Sequence, residues 1–189
     1  MTVSPPFASL SASYGRRLMW LFIGLALLMT VLSTNVNQPL RTAVAPQGIL
    51  SYEFAGDLAT AQAIINSWDA PAKLRAAFGL GLDFLYPVVY GMAISLAVVA
   101  ASGAFKGRLA QLGAWLAWGV WLAAALDYVE NIALWQLLQG SSNALLPQIA
   151  WWCAAFKFLL LVLAILYALW GGIRGLLHRS QAQAADFAD

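Results

Sequence analysis

The sequence predicts an all-α polytopic membrane protein: an antiparallel four-transmembrane-helix bundle with an external amphipathic helix. Three observations lead there. Of its 189 residues, 62% are hydrophobic and 10% are charged, whereas a water-soluble domain carries roughly 25% charged residues. The excess apolar surface must face lipid. Four apolar segments reach the length of about 20 residues that a helix needs to cross the hydrocarbon core. Basic residues flank those segments with a consistent polarity, as they do at the cytoplasmic ends of spans.

Residues 1–15 read as a cytoplasmic N-terminal tail, ending at Arg16 and Arg17. The first span covers 18–36. Arg16-Arg17 before an apolar run also fits the start of a signal peptide. The nearest small-x-small site, Ala43-Val44-Ala45, lies well past that run and precedes Pro46, so the span is expected to be retained. Residues 38–75 follow as an external segment. Within it Ile49–Phe54 alternates, with Leu50, Tyr52 and Phe54 on one side and Ser51 and Glu53 on the other, which predicts a short extended piece. Gly56-Asp57 then opens a helix over about 57–68, with Asp57 as its cap. Leu58, Ala61, Ile65 and Trp68 recur on one face of it, and Thr60, Gln62, Asn66 and Ser67 on the other. Such a helix lies flat on a membrane face or folds over the mouth of the bundle. Asp69-Ala70-Pro71 ends it.

The second span covers 76–101, the third 109–138 and the fourth 149–173. Lys106 and Arg108 fill the link between spans two and three, and Arg174 and Arg179 follow span four. Both termini are therefore expected inside, in a bacterial inner membrane. The external segment and the turn at 139–148 are expected outside. Arg41, Lys73 and Arg75 sit on that side, offset in part by Glu53, Asp57 and Asp69. Short links make three consecutive spans antiparallel neighbours. Gly79, Gly81, Gly91, Gly113, Ala117, Gly119 and Ala124 favour close helix approach. Residues 174–189 read as a cytoplasmic tail that is small, polar and disordered after Arg179.

Composition excludes several classes. A net charge of +2 is too small and too dispersed for nucleic acid. The single cysteine, Cys153, rules out an intrachain disulfide framework. The single histidine, His178, lies beyond the last span, which argues against haem or zinc chemistry in the bilayer. No cofactor is expected, although an oxygen-rich Mg²⁺ or Ca²⁺ site is compatible with the acids described next.

Those acids are the main clue. Lys157 sits within the fourth apolar segment, and Asp83, Asp127 and Glu130 lie within the second and third. A charge at that depth costs several kcal/mol unless it is paired or hydrated, so it marks a functional site by default. At 1.5 Å per residue, Asp83 and Glu130 each lie about 12 Å from the outer end of their span and Lys157 about 15 Å. Asp127 is about one turn deeper. Asp127, Glu130 and Asn131 share one helix face, as do Asp83, Tyr86 and Tyr90. Pro87 frees a backbone carbonyl close by. The candidate ligand-binding set is thus Asp83, Tyr86, Tyr90, Asp127, Glu130, Asn131 and Lys157. One lysine cannot neutralise three acids in low dielectric. Either protons, a bound cation or water must complete the site. A purely structural role, with one ion pair fixing helix register, leaves the surplus acids unexplained. Tryptophans 115, 118, 121, 151 and 152 read as interfacial or packing residues, and Trp135 as a candidate at the pocket mouth.

At Tyr52-Glu53-Phe54-Ala55-Gly56, Leu82-Asp83-Phe84-Leu85-Tyr86 and Leu126-Asp127-Tyr128-Val129-Glu130-Asn131 the chain resembles a group of bacterial four-span integral membrane proteins. The likeness runs over about residues 50–160 and implies no activity. The layout is also similar to the EXPERA sterol-isomerase and sigma-2 receptor fold, in which buried acids receive a cationic amphiphile. That similarity is architectural and transfers no residue. The functional expectation is an outward-facing acidic pocket that binds a lipid or cationic amphiphile. The alternatives are a lipid-modifying acid–base enzyme, an accessory subunit of a larger membrane complex, and a proton-coupled carrier. In the enzyme, Glu130 would be the acid, Asp127 the base and Asp83–Lys157 the orienting pair. The carrier would need a homodimer to supply its missing half. The expected partners are membrane lipids and, beyond them, a second copy or a larger complex.

Overall fold

The computed structural model describes residues 3–186, and side chains as far as Leu177. Arg179, used above to orient the chain, lies outside the described side chains, as does His178. Every regular element among the described residues is helical. In order these are α1 (Ala12–Asn37), a 3₁₀ turn (Gln38–Leu40), α2 (Ile49–Glu53), α3 (Leu58–Ser67), α4 (Ala70–Leu82), α5 (Tyr86–Ser102), α6 (Arg108–Leu138) and α7 (Leu145–Asp186). Three stretches are long and apolar enough to cross a membrane: Ala12–Leu40, Arg108–Leu138 and Leu145–Leu177. The α4–α5 pair, bent by 43°, makes a fourth if it is counted as one broken span. The chain is thus an all-helical membrane protein.

Several elements differ from expectation. The span predicted over 76–101 begins six residues earlier and is interrupted. Asp69 caps α4, its Oδ1 accepting from the Ala72 amide at 2.8 Å, and Pro71 fits the first turn, where its missing N–H costs nothing. The interruption at 83–85 precedes Pro87, which can neither donate to the carbonyl of Asp83 nor fit a straight helix. The fourth span, predicted over 149–173, is part of a helix that runs to Asp186, where a disordered tail was expected. After Gly175 no glycine or proline interrupts a run rich in leucine, alanine and glutamine, all good helix formers.

The extended piece predicted at 49–54 is a helical turn. Gly48 has φ +67°, and a Cβ there would collide with Asn37 Oδ1. That oxygen instead accepts the Ile49 amide at 2.7 Å and starts α2. The apparent alternation is fortuitous. In a strand, Tyr52 and Glu53 would face opposite ways. In a helix they are about 100° apart, and both are buried. The predicted helix over 57–68 is α3, capped by Asp57, whose Oδ1 accepts from the Thr60 amide at 2.8 Å. This bond holds the Asp57 carboxyl below its ordinary value. Ala61 and Ile64 are buried on its inner face, followed by Trp68.

The chain divides into two compact units. Unit 1 is Met1–Ile23, Tyr90–Leu122 and Leu159–Asp189, and unit 2 is Gly24–Val89 and Ala123–Phe158. In unit 1, Val98, Ala101, Phe105, Ala117, Val120, Ala164 and Tyr167 form the core. The predicted N-terminal tail is partly attached there. Trp118 Nε1 donates to the Ser4 carbonyl at 3.0 Å, and Phe7 packs edge-on to Trp121.

In unit 2 the segment 38–75 shares one core with the helices. Leu40, Tyr52, Ile64 and Trp68 pack with Leu80, Leu134, Leu137 and Leu146. Two buried side-chain donors secure it. Tyr52 Oη donates to the Leu134 carbonyl at 2.9 Å, and Trp68 Nε1 to the Leu40 carbonyl at 2.8 Å. Burial pushes the Tyr52 hydroxyl well above its ordinary pKa. Residues of α2 and α3 are therefore packed into this core rather than lying apart from it.

Candidate functional site

The site grows out of α6. Asp127 and Glu130 are one turn apart on a face turned inward, at 6% and 0% exposure. Lys157 projects from α7 between them. Its Nζ donates to Asp127 Oδ1 at 2.8 Å and lies 2.8 Å from Glu130 Oε2 as an ion pair. A third carboxylate comes from outside the spans: Glu53 Oε2, on α2, lies 4.0 Å from the same ammonium. One buried cation thus faces three buried acids.

The charge is not balanced. If all four groups ionise, two negative charges remain uncompensated. Glu130 Oε2 is held by the Lys157 ammonium, while Glu130 Oε1 and Glu53 Oε2 are buried without a hydrogen-bond donor of suitable geometry. Buried acceptors left this way cost about 1–3 kcal/mol each, more when charged. Burial pushes the Glu53 carboxyl up from its ordinary value, and neighbouring Asp127 adds to this against the opposing pull of Lys157. The arrangement suits an added proton or an incoming cationic donor.

Aromatic rings flank the ammonium. Lys157 Nζ is 5.0 Å from the Phe158 ring centre. Phe54, next to Glu53, stacks on Phe158 and meets Trp151 edge-on. The segment 38–75 therefore supplies both an acid and an aromatic ring to the site.

The remaining predicted residues separate into different roles. Asn131 is buried beside Glu130, but its Nδ2 donates to the Asp83 carbonyl at 3.0 Å. That carbonyl is the one Pro87 leaves without its helical donor. Tyr128 Oη donates to the next carbonyl, Phe84, at 3.0 Å. Asn131 and Tyr128 thus repair the α4–α5 break. Asp83 caps the end of α4 half-buried. It lies close enough to Asp127, Glu53 and Lys157 to interact electrostatically. Tyr86 Oη pairs with Thr30 Oγ1 of α1 at 2.7 Å. Tyr90 is buried in unit 1. Trp135 lines a separate cavity of about 470 Å³ with Leu74 and Leu138.

Glu53 was missed by sequence reasoning. Counted by alternation it faced solvent, offsetting outer basic residues. The available signal was its isolation: a single acid between Tyr52 and Phe54 in an otherwise apolar stretch. Among the described residues, no group of three or more His, Cys, Asp and Glu side chains is placed to hold a metal ion. At the centre of the acids stands an ammonium.

No family model matches the chain, and no solved structure does. A stretch of 66 residues is 38% identical to a biosynthetic peptidoglycan transglycosylase of Burkholderia vietnamiensis, covering 32% of this chain and 27% of that protein. The chain spans about a quarter of the length of this relative.

Proposed function

We propose that this protein binds the cationic head of a lipid or amphiphile at the Glu53–Asp127–Glu130 cluster, beneath the external segment. The reading rests on one observation: three buried carboxylates share one ammonium, with Glu130 Oε1 and Glu53 Oε2 left without a hydrogen-bond donor of suitable geometry. A second cationic donor would satisfy those oxygens and offset the surplus charge. Phe54, Trp151 and Phe158 offer ring faces suited to an organic cation. The cluster is closed, so entry requires α2 to lift and carry Glu53 with it. The topology we assign is a four-span antiparallel bundle in a bacterial inner membrane, with both termini cytoplasmic. The external segment then faces the outer leaflet, from which the ligand enters.

Native mass spectrometry of protein extracted in mild detergent tests this. Wild type is expected to carry a discrete bound mass that Asp127→Asn and Glu130→Gln both lose. Retention of that mass by both variants would sink the reading. Bare protein in all three samples would assign the cluster to helix register alone.

A second reading, acid–base chemistry on a lipid, draws on the position of Glu53. Its raised carboxyl interacts electrostatically with Glu130, and a protonated acid beside an ionised one can relay a proton. Turnover in a lipid panel, abolished by Glu53→Gln with binding intact, would favour it. Binding without turnover would exclude it.

A further inference from the structure

Unit 1 contains a cavity of about 1260 Å³ that the acidic cluster does not involve. Its walls come from α1, α5 and α7, with Trp20, Ile94, Leu169 and Gly172 among the apolar lining. Its charged lining residues are both basic: Lys106, from the link between α5 and α6, and Arg174 on α7. Among the described residues no acidic side chain lines it and neither cation forms an ion pair. Arg174 is positioned by the Phe105 ring, with its guanidinium carbon 5.5 Å from the ring centre.

Gly171 and Gly172 both line the cavity, the first buried and the second exposed. At Gly171 a Cβ would stand 2.7 Å from both Ala101 Cβ and the Ala101 carbonyl oxygen, so that glycine allows α7 to approach α5. At Gly172, which also lines the cavity, a Cβ would meet nothing within 4 Å. The first glycine serves packing and the second borders open space.

The chemistry specifies the occupant. Drug-sized ligands fill pockets of about 300–1,000 Å³, and this cavity is larger. A soluble phosphate compound would not need apolar walls along three helices. A zwitterionic or cationic head would not need two unpaired cations. Basic pockets between spans on the cytoplasmic side hold anionic lipid headgroups. We propose that the cavity is a site for one anionic phospholipid, with its phosphate between Lys106 and Arg174 and an acyl chain along α5 and α7. In the topology assigned above this is the cytoplasmic leaflet. The proposal does not depend on the ligand assigned to the cluster in unit 2.

The test is native mass spectrometry of the full chain equilibrated in mixed micelles with equal amounts of phosphatidylglycerol and phosphatidylcholine. Wild type is expected to keep a single phosphatidylglycerol in preference to phosphatidylcholine by about tenfold or more. The double variant Lys106→Gln/Arg174→Gln should bring that ratio close to one. Gly172→Phe, which places a ring in the open space, should reduce retention of both lipids several-fold. Equal retention of the two lipids by wild type would overturn the proposal. So would a preference that survives loss of both cations, or unchanged retention in Gly172→Phe, which would place the lipid on the outer surface.

Discussion

The interiors of the two units are built from different materials. Unit 2 buries Glu53, Asp127, Glu130, Lys157 and Asn131, whereas Ser95 is the buried polar side chain that the described residues of unit 1 contribute. Ser95 is satisfied locally, its Oγ donating to the Ala117 carbonyl at 3.2 Å. The remainder of that interior is small and aromatic packing, as in Phe105 against Tyr167. Helix association in lipid needs little more than this, because close contact and occasional hydrogen bonds supply the stabilisation. Unit 1 therefore shows that the fold can be held without buried charge. The acids of unit 2 add a desolvation cost that the interior of unit 1 does not carry.

The contrast has measurable consequences. The largest is expected from Lys157→Met, which leaves three buried acids without their cation. Breaking a buried pair from one side costs about 3–5 kcal/mol, so the variant should lose most of its resistance to thermal unfolding in detergent, followed by helical circular dichroism. A loss below about 1 kcal/mol would mean that the cluster is hydrated and that burial is not what distinguishes the two interiors.

Next comes Gly171→Leu in unit 1, where the added side chain meets backbone. Overpacking of this kind costs about 1–3 kcal/mol, whereas Gly172→Leu should be neutral or slightly stabilising in the same melt. Equal effects at the two positions would show that the helix contact is not as close as Gly171 requires.

The third prediction concerns pH. Burial raises Glu53 above the ordinary glutamate value of 4.5, so between those two values the folded chain binds more protons than the unfolded one. Stability contributed at Glu53 is then complete below the ordinary value and falls as pH rises through the raised one. Glu53→Gln should flatten that decline and unfold at a higher temperature than wild type at alkaline pH. A wild-type melting point that rises across the same range and is unaltered by the substitution would contradict it.

The smallest effect is expected at Ser95→Ala. Hydrogen bonds between helices in membranes average about 0.6 kcal/mol, so its melting point should fall by no more than a few degrees. A larger loss would give unit 1 a polar anchor of its own.

Much of the architecture was legible residue by residue. Long apolar runs and flanking arginines placed α1, α6 and α7, since a span is set by length and hydropathy alone. Asp57 announced the start of α3 and Pro87 a freed carbonyl, because caps and prolines act on their own backbone, whereas the span around Pro87 was read as continuous. The meeting of Asp127, Glu130 and Lys157 followed from counting rise per residue along two helices. Asp83 and Tyr90 were grouped by spacing along a continuous helix, and the break at 83–85 now separates the elements that carry them. Asn131 was in the expected place with a different task, because the carbonyl it serves belongs to another helix.

The sequence settles which segments are helical and apolar, and that charge is buried among them. Tertiary structure decides which charges meet. Glu53 reaches Lys157 only because α2 is a helical turn started by Asn37, twelve residues away, and seated in the same core as Leu134. A local pattern of alternating residues carries no record of that distant cap, and an ion pair depends on distances that only the assembled fold defines.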